Sequence, residues 1–377
     1  ALDSFNTPTP SYTLDNVFAD LDVFGVRILT SGLGAKDIAI TILERGSGGQ
    51  IIEKHVLEGE LARIPELLFA YVINDLSGTI TVINTATETV VATIPFPGDT
   101  ALREIAITPD GSRAYVANLG TPDEVIVIDT TTNTALTAIP FPLGSDPRGI
   151  AMAPDGSRVY VTVTGTPESV TVIDAATNTI SATIPFPPGS FPNGIVISPD
   201  GLKAYVTQGI PDAIVVIDTT TNTIQTTIPL PAGSNPLNVA ITPDGSLVYV
   251  TTTGVPEGVV VIDATSNTIL LGIPLLGSGP RGITVSPDGS KVYVANLVND
   301  TVTIINTATQ SIFDTITFPA QTNPIRVEIT PDGSRAYVVC QGIDAVQVLD
   351  TGNNELLANL AVGVAPFSVA ITPILLF

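Results

Sequence analysis

The chain has 377 residues with 36 acidic against 14 basic side chains, a formal charge of −22. So acidic a surface argues against nucleic acid as a partner, because phosphates are bound by Lys and Arg, and against an anionic membrane surface. There is no run of eighteen apolar residues and hence no expected membrane span, and a lone Cys340 makes no intrachain disulfide.

In sequence order, the first 62 residues carry no repeat. The chain starts at Ala1 without Met, as a mature form does after removal of a leader. Ala1–Ser11 is polar, with Pro8 and Pro10, and is expected to be an extended arm. Leu21–Leu29, Asp37–Glu44 and Ile51–Leu57 alternate as three strands, with loops at Ser31–Gly34 and Gly46–Gly49. A meander that small sits near the lower limit for independent folding. It is expected to be either a passive extension or an assembly element through which copies self-associate by strand pairing.

From residue 63 the chain repeats. A Tyr-Val pair recurs at Tyr71, Tyr115, Tyr160, Tyr205, Tyr249, Tyr293 and Tyr337, in steps of 44 or 45 residues. Pro-Asp-Gly precedes all but the first, beginning at Pro109, Pro154, Pro199, Pro243, Pro287 and Pro331. In the copy starting at Glu104, the residues Glu104–Thr108 form a first strand and Pro109-Asp110-Gly111 a turn. Arg113–Asn118 and the β-branched Glu124–Asp129 are the next two strands. Ala135–Ile139 is the fourth, closed by Pro140. Four short antiparallel strands per repeat describe a propeller blade. The innermost strands are predicted at 104–108, 149–153, 194–198, 238–242, 282–286, 326–330 and 368–372. The last of these has no blade after it, and the first Tyr-Val has no inner strand before it. Residues 368–372 should therefore pair with 70–75, closing the ring and leaving no open sheet edge. The fold class expected is all-β: a seven-bladed β-propeller over residues 63–377, closed by its C-terminal strand, with a small β extension over residues 1–62.

The phrase Ile-x-Ile-Thr-Pro-Asp-Gly-Ser-Arg-Ala-Tyr-Val, followed by Val-x-Val-Ile-Asp-x-x-Thr-Asn-Thr and Thr-Ile-Pro-Phe, resembles the YVTN β-propeller repeat family over about residues 65–373. The fourth slot of that signature holds Asn74, Asn118, Val163, Gln208, Thr252, Asn296 and Cys340. The resemblance implies a surface-layer-like, exported prokaryotic protein in an extracellular or cell-surface setting. It does not imply a ligand, because propellers host many functions.

The repeated acids (Asp110 and its equivalents in the turns, Asp129, Asp174, Asp218, Asp263 and Asp350 after the third strands) are expected to accept hydrogen bonds from turn amides rather than to bind metal. The single His55 lies outside the repeats, which leaves a Ser-His-Asp triad without its base. No phosphate loop or cofactor motif is evident. Cys340 is expected to be a small buried residue. One set of side chains points to binding. Arg103, Arg148, Asn193, Asn238, Arg281 and Arg326 stand where the polypeptide enters the inner strands, and so share one rim of the central channel. Guanidinium groups grip carboxylates and sulfates bidentately, so this mouth could hold an anionic or glycan ligand. The competing reading is that these arginines neutralise Glu104, Asp146 and Glu328 and tie blades together. Arg113, Arg158, Lys203, Lys291 and Arg335 recur before the second strands and are expected to be part of the repeat architecture. The function that follows is a non-enzymatic scaffold that assembles or binds partners at a cell surface. The alternative is a ligand-binding or lactonase-like hydrolytic propeller using the arginine mouth with Glu104 or Glu328.

Overall fold

A computed structural model describes the backbone of residues 26–29, 37–45 and 51–60, and residues 68–373 other than 97 and 99. The chain divides into two units, Ala1–Glu66 and Leu67–Phe377. In the first, Val26–Leu29, Asp37–Arg45 and Ile51–Glu60 form one antiparallel sheet in sequence order. The expected arm at 1–11, the side chain of His55 and the apolar tail 374–377 lie outside the described residues.

The second unit is a seven-bladed propeller of four-stranded antiparallel sheets. Blade 2 runs Leu102–Ile107, Arg113–Asn118, Glu124–Asp129 and Thr134–Pro140 from the axis outward. Blades 3 to 7 repeat it, with inner strands Pro147–Met152, Pro192–Ile197, Pro236–Ile241, Pro280–Val285 and Pro324–Ile329. Blade 1 is built from both ends of the unit. Pro366–Ile371 pairs with Phe69–Asn74, with Val369 opposite Val72, and Thr372 N donates to Phe69 O at 2.9 Å. The expected closure is what forms.

Burial follows position in the blade. The second and third strands are covered on both faces by neighbouring blades, so they are continuous Val, Ile, Ala and Tyr, and nearly every residue is buried. The fourth strands are mostly exposed, with one buried Ile before the closing Pro in blades 1 to 5. The core is therefore a set of interfaces between adjacent blades, each an apolar cluster drawn from two sheets. In the cluster at the closure, Val72, Ile83 and Val369 of blade 1 meet Tyr337, Val346 and Val348 of blade 7. Each Val or Ile buried in such a cluster stabilises the fold by ~1.5–3 kcal/mol.

The inner strands start two residues earlier than the 104–108 pattern predicts. In blade 3, Pro147 pairs with Val163 and Ile150 with Val161, across an irregularity in register. A β-bulge therefore sits at the start of the strand, and proline is tolerated there because it is the first strand residue. An alternating-residue pattern does not register the bulge.

Candidate functional site

The two faces of the disc are built from different connections. One face, the turn face, carries the Pro-Asp-Gly turns between first and second strands and the Thr-Asn-Thr turns between third and fourth. The other, the mouth face, carries the loops between second and third strands and the loops that lead from one blade to the next inner strand.

On the turn face the repeated polar residues are paired internally. Asp110 Oδ1 accepts from Ser112 N at 3.0 Å and from Thr108 Oγ1 at 2.5 Å, and these bonds hold its carboxyl below the usual carboxylate range. Gly111 follows at φ +67°, which Gly adopts without steric cost. Asp129, Asp174, Asp218 and Asp263 accept amide hydrogens from the turn that follows each of them, as do Asn84 and Asn306 in the same slot. These are the Asx turns the sequence implies. Arg113, Arg158, Lys203 and Lys291 each donate to a carbonyl of the next blade: Ala175, Thr219, Ala264 and Thr351, at 2.8–3.1 Å. Arg335 closes the ring, donating to Thr85 O and pairing with Glu88 at 2.9 Å.

Several tyrosines of the Tyr-Val phrase do the same work, which periodicity alone does not reveal. Tyr71 Oη donates to Asn133 Oδ1 of the next blade at 2.7 Å and Tyr115 Oη to Asn178 Oδ1 at 2.7 Å; Tyr205 reaches Asn267 at 3.3 Å. Asn133, Asn178, Asn222 and Asn267 all have φ of 53–55°, in the left-handed region that Asn tolerates better than most residues. Asn133, Asn178 and Asn267 thus each serve the turn and the neighbouring blade together. Its signal in the sequence is the Asn before Thr134, Thr179, Thr223 and Thr268. A groove of about 600 Å3 opens on this face between blades 3 and 4, lined by Asp155, Arg158, Tyr160, Asp200 and Thr219.

The mouth face differs. Its loops are fastened in pairs by acids: Asp123 Oδ2 accepts from Gly144 N (2.6 Å) and Ser145 N (3.1 Å), Asp212 from Gly233 and Asn235, and Asp300 from Gln321 and Asn323. Gly165 passes so close to the preceding loop that a Cβ would meet Gly144 O at 1.8 Å. The loops are consequently stiff, and they hold apolar side chains out into solvent. Leu76, Ile210, Val255, Val298 and Ile343 project from the loops between second and third strands. Leu143, Phe191, Leu276 and Val364 project from the loops between blades. Leu143 is 81% exposed and Val255 79%. Of the exposed large apolar side chains among the described residues, these nine stand on the mouth face and only Leu202 on the turn face; the others lie on the outermost strands. Scattered exposed leucines are ordinary, but so one-sided a crown is a feature of interaction surfaces.

The six residues expected at the mouth all lie at the mouth end of inner strands, but the bulge divides them between two registers. Arg103, Arg148, Asn193 and Arg281 occupy the extra position after the first strand residue. Asn238 and Arg326 occupy the next position, which they share with Glu104, Gly149, Gly194, Gly282 and Ser368. Side chains at successive positions point different ways, and their partners differ accordingly. Arg326 Nη1 reaches Glu104 Oε1 at 2.8 Å and Asn238 Oδ1 at 3.1 Å, so it spans three blades, and its Nε is buried without a partner. Glu104 also accepts from Ile150 N at 3.3 Å. Glu328 lines the same part of the channel. Loss of water around it raises its carboxyl to about 7; Arg326 opposes this rise and Glu104 adds to it. Arg103 pairs with Asp75 and lies over the Phe367 ring, 5.1 Å from its centroid. Arg148 and Arg281 are exposed and have no carboxylate within salt-bridge distance among the described residues. Tying blades together thus describes Arg326 and Arg103, whereas Arg148 and Arg281 remain available. Cys340 is fully buried, and burial pushes its thiol up to about 12, which leaves it unreactive.

Among solved structures, the chain is similar to Kuenenia stuttgartiensis hydrazine synthase (25% identity, TM-score 0.65, covering 72% of this chain and 91% of that one). It is also similar to a functionally unknown protein from Desulfotomaculum acetoxidans DSM 771 (18%, TM-score 0.68, 81% and 99%). The dihydro-heme d1 dehydrogenase NirN in complex with DHE is a further match (16%, TM-score 0.57, 88% and 79%). No curated protein sequence matches. The family model for YNCE-like beta-propellers matches residues 59–373, and the chain belongs to that family.

Proposed function

We propose that the protein is a non-enzymatic scaffold of an extracellular or cell-surface setting, which binds partner proteins through the mouth face and self-associates through its N-terminal extension. The observation that carries this reading is the crown: nine large apolar side chains on one face, on loops that acid-to-amide bonds hold in place. A surface organised before binding loses little entropy when a partner docks. Light scattering of the whole protein at rising concentration, beside a variant lacking residues 1–62, tests the assembly element. Concentration-dependent growth that disappears with the deletion is expected. A persistent monomer would remove self-association from the reading.

A second reading, a hydrolytic channel, is favoured by Glu328, whose carboxyl near 7 lies beside Glu104 and Arg326. A carboxyl poised near neutrality suits general acid–base work. Assays against lactones and glycosides with the wild type and Glu328→Gln decide it: turnover lost in the variant supports hydrolysis, and equal inactivity of both rejects it.

A further inference from the structure

Arg103 and Arg148 occupy the same bulge position on neighbouring inner strands. Arg103 is clamped between Asp75 and the Phe367 ring. Arg148 is held by a different device. Its Nε donates to Thr164 Oγ1 at 2.9 Å, and Thr164 is itself tied to Asp146 O at 3.2 Å. A bond from Nε alone leaves both terminal nitrogens of the guanidinium for another acceptor. Arg148 is exposed as a residue, but partial loss of water around its guanidinium, followed by the charge of Arg103, lowers it below the ordinary arginine value, and the charge of Asp146 opposes this. Two cations are thus fixed side by side, and of the two only Arg103 is paired with a carboxylate. An added anion would relieve their repulsion, and the planar fork suits a carboxylate.

What delivers that anion follows from the surroundings. A protein of charge −22 repels small free anions at long range. The ligand must therefore gain something besides charge. Leu143 and Phe191, 81% and 50% exposed, stand on the loops before and after the blade of Arg148. They offer apolar contact, which polypeptide side chains match and the hydroxyls of a glycan do not. We propose that the mouth face binds a partner polypeptide through a carboxylate seated on Arg148 beside Arg103, with apolar side chains on either side of it lying against Leu143 and Phe191. The proposal rests on the crown as a binding surface. The carboxylate comes either from an Asp or Glu side chain or from the C-terminus of the partner polypeptide.

Panning the full-length protein against two displayed random-peptide libraries, one with blocked and one with free C-termini, tests this. The expected result is enrichment of peptides with an acid or a free terminus flanked by apolar residues. The library that yields them identifies the source of the carboxylate. Arg148→Gln should weaken an enriched peptide tenfold or more, as should Leu143→Ser with Phe191→Ser, with thermal unfolding unchanged. Enriched peptides that lack acids, or that bind Arg148→Gln as well as wild type, overturn the carboxylate seat and leave the crown standing. Failure of both libraries overturns the crown as a peptide surface as well. Arg148-dependent retention of sulfated glycans on an array, without peptide binding, shows that the ligand class is wrong.

Discussion

The turn face and the mouth face come from the same seven repeats, yet they use their polar residues in opposite ways. On the turn face, Asp, Asn, Tyr, Arg and Lys recur in register, and most are engaged in bonds within a turn or to the next blade. On the mouth face the acids that fasten loops recur, as do the hydroxyls of Ser145, Ser190, Ser234, Ser278 and Thr322, each of which donates to a carbonyl three residues earlier. The tips between them vary, with Leu143, Phe191 and Leu276 on different loops, and the mouth end of the channel carries Arg, Asn, Glu or Gly depending on the blade. A residue whose bond joins two blades is held by both neighbours, and a loop tip by neither. The difference indicates that stability resides on one side of the disc and recognition on the other.

The largest effect that would break this contrast lies at the closure. Removing residues 366–377 exposes the edge of Phe69–Asn74 and opens the cluster of Val72, Val346 and Val369. We expect loss of a single cooperative thermal transition, together with aggregation. A truncated protein that melts like the full one would show that the ring does not depend on its clasp. The next effect lies in the channel. The folded carboxyl of Glu328 titrates at about 7, above its ordinary value of 4.5, so the folded state holds the proton more tightly than the unfolded one. Its stabilising contribution is therefore full below about pH 4.5 and lost as pH rises through 7. Glu328→Gln should gain on the wild type by up to roughly 3 kcal/mol between pH 4.5 and 8 in urea titrations. A gap independent of pH would contradict the raised carboxyl.

On the turn face, Asn133→Ala loses both the left-handed backbone preference and the bond from Tyr71, about 2 kcal/mol together. Asn133→Gly restores the backbone alone and should recover about half of this loss. Equal losses in the two variants would mean that the Tyr71 bond contributes all of the effect. The turn aspartates act in the opposite pH direction to Glu328. Hydrogen bonds hold Asp110 and Asp155 below the usual range, so their contribution is present above about pH 4 and lost as pH falls further. Asp110→Ala with Asp155→Ala should flatten the acid limb of a pH–stability curve, and an unchanged limb would argue against it. The smallest effect is expected on the mouth face: Leu143→Ser with Leu276→Ser should change unfolding free energy by about 0.5 kcal/mol or less. A loss comparable to that of Asn133→Ala would mean that the crown supports the fold.

The sequence made the architecture legible because the spacing survives in every blade and the punctuation in six of the seven. Six Pro-Asp-Gly turns and the split between Ser368 and Tyr71 leave few other arrangements. The candidate site was legible only as a place. That Arg326 would bridge Glu104 and Asn238 while Arg148 stayed open depends on a one-residue bulge, and the pattern of alternating side chains carries no trace of it. The crown was illegible for a different reason. Leu143 and Leu102 look alike in a sequence, and only the fold exposes the first and buries the second. The partnership of Tyr71 with Asn133 was missed because 62 residues separate them and each has a sufficient local explanation: the tyrosine as core, the asparagine as turn.

Because blade 1 draws on both ends of the unit, the ring cannot be completed until Pro366–Ile371 has been made. Until Pro366–Ile371 leaves the ribosome, six blades stand with Phe69–Asn74 as an unfilled berth beside them. Strand-forming segments of other nascent polypeptides could occupy that berth, a hazard that lasts through the synthesis of roughly three hundred residues at ~5–20 per second. Slowing translation between the codons for Asn74 and Pro366 should therefore lower the yield of folded protein more than an equal pause before the codon for Phe69.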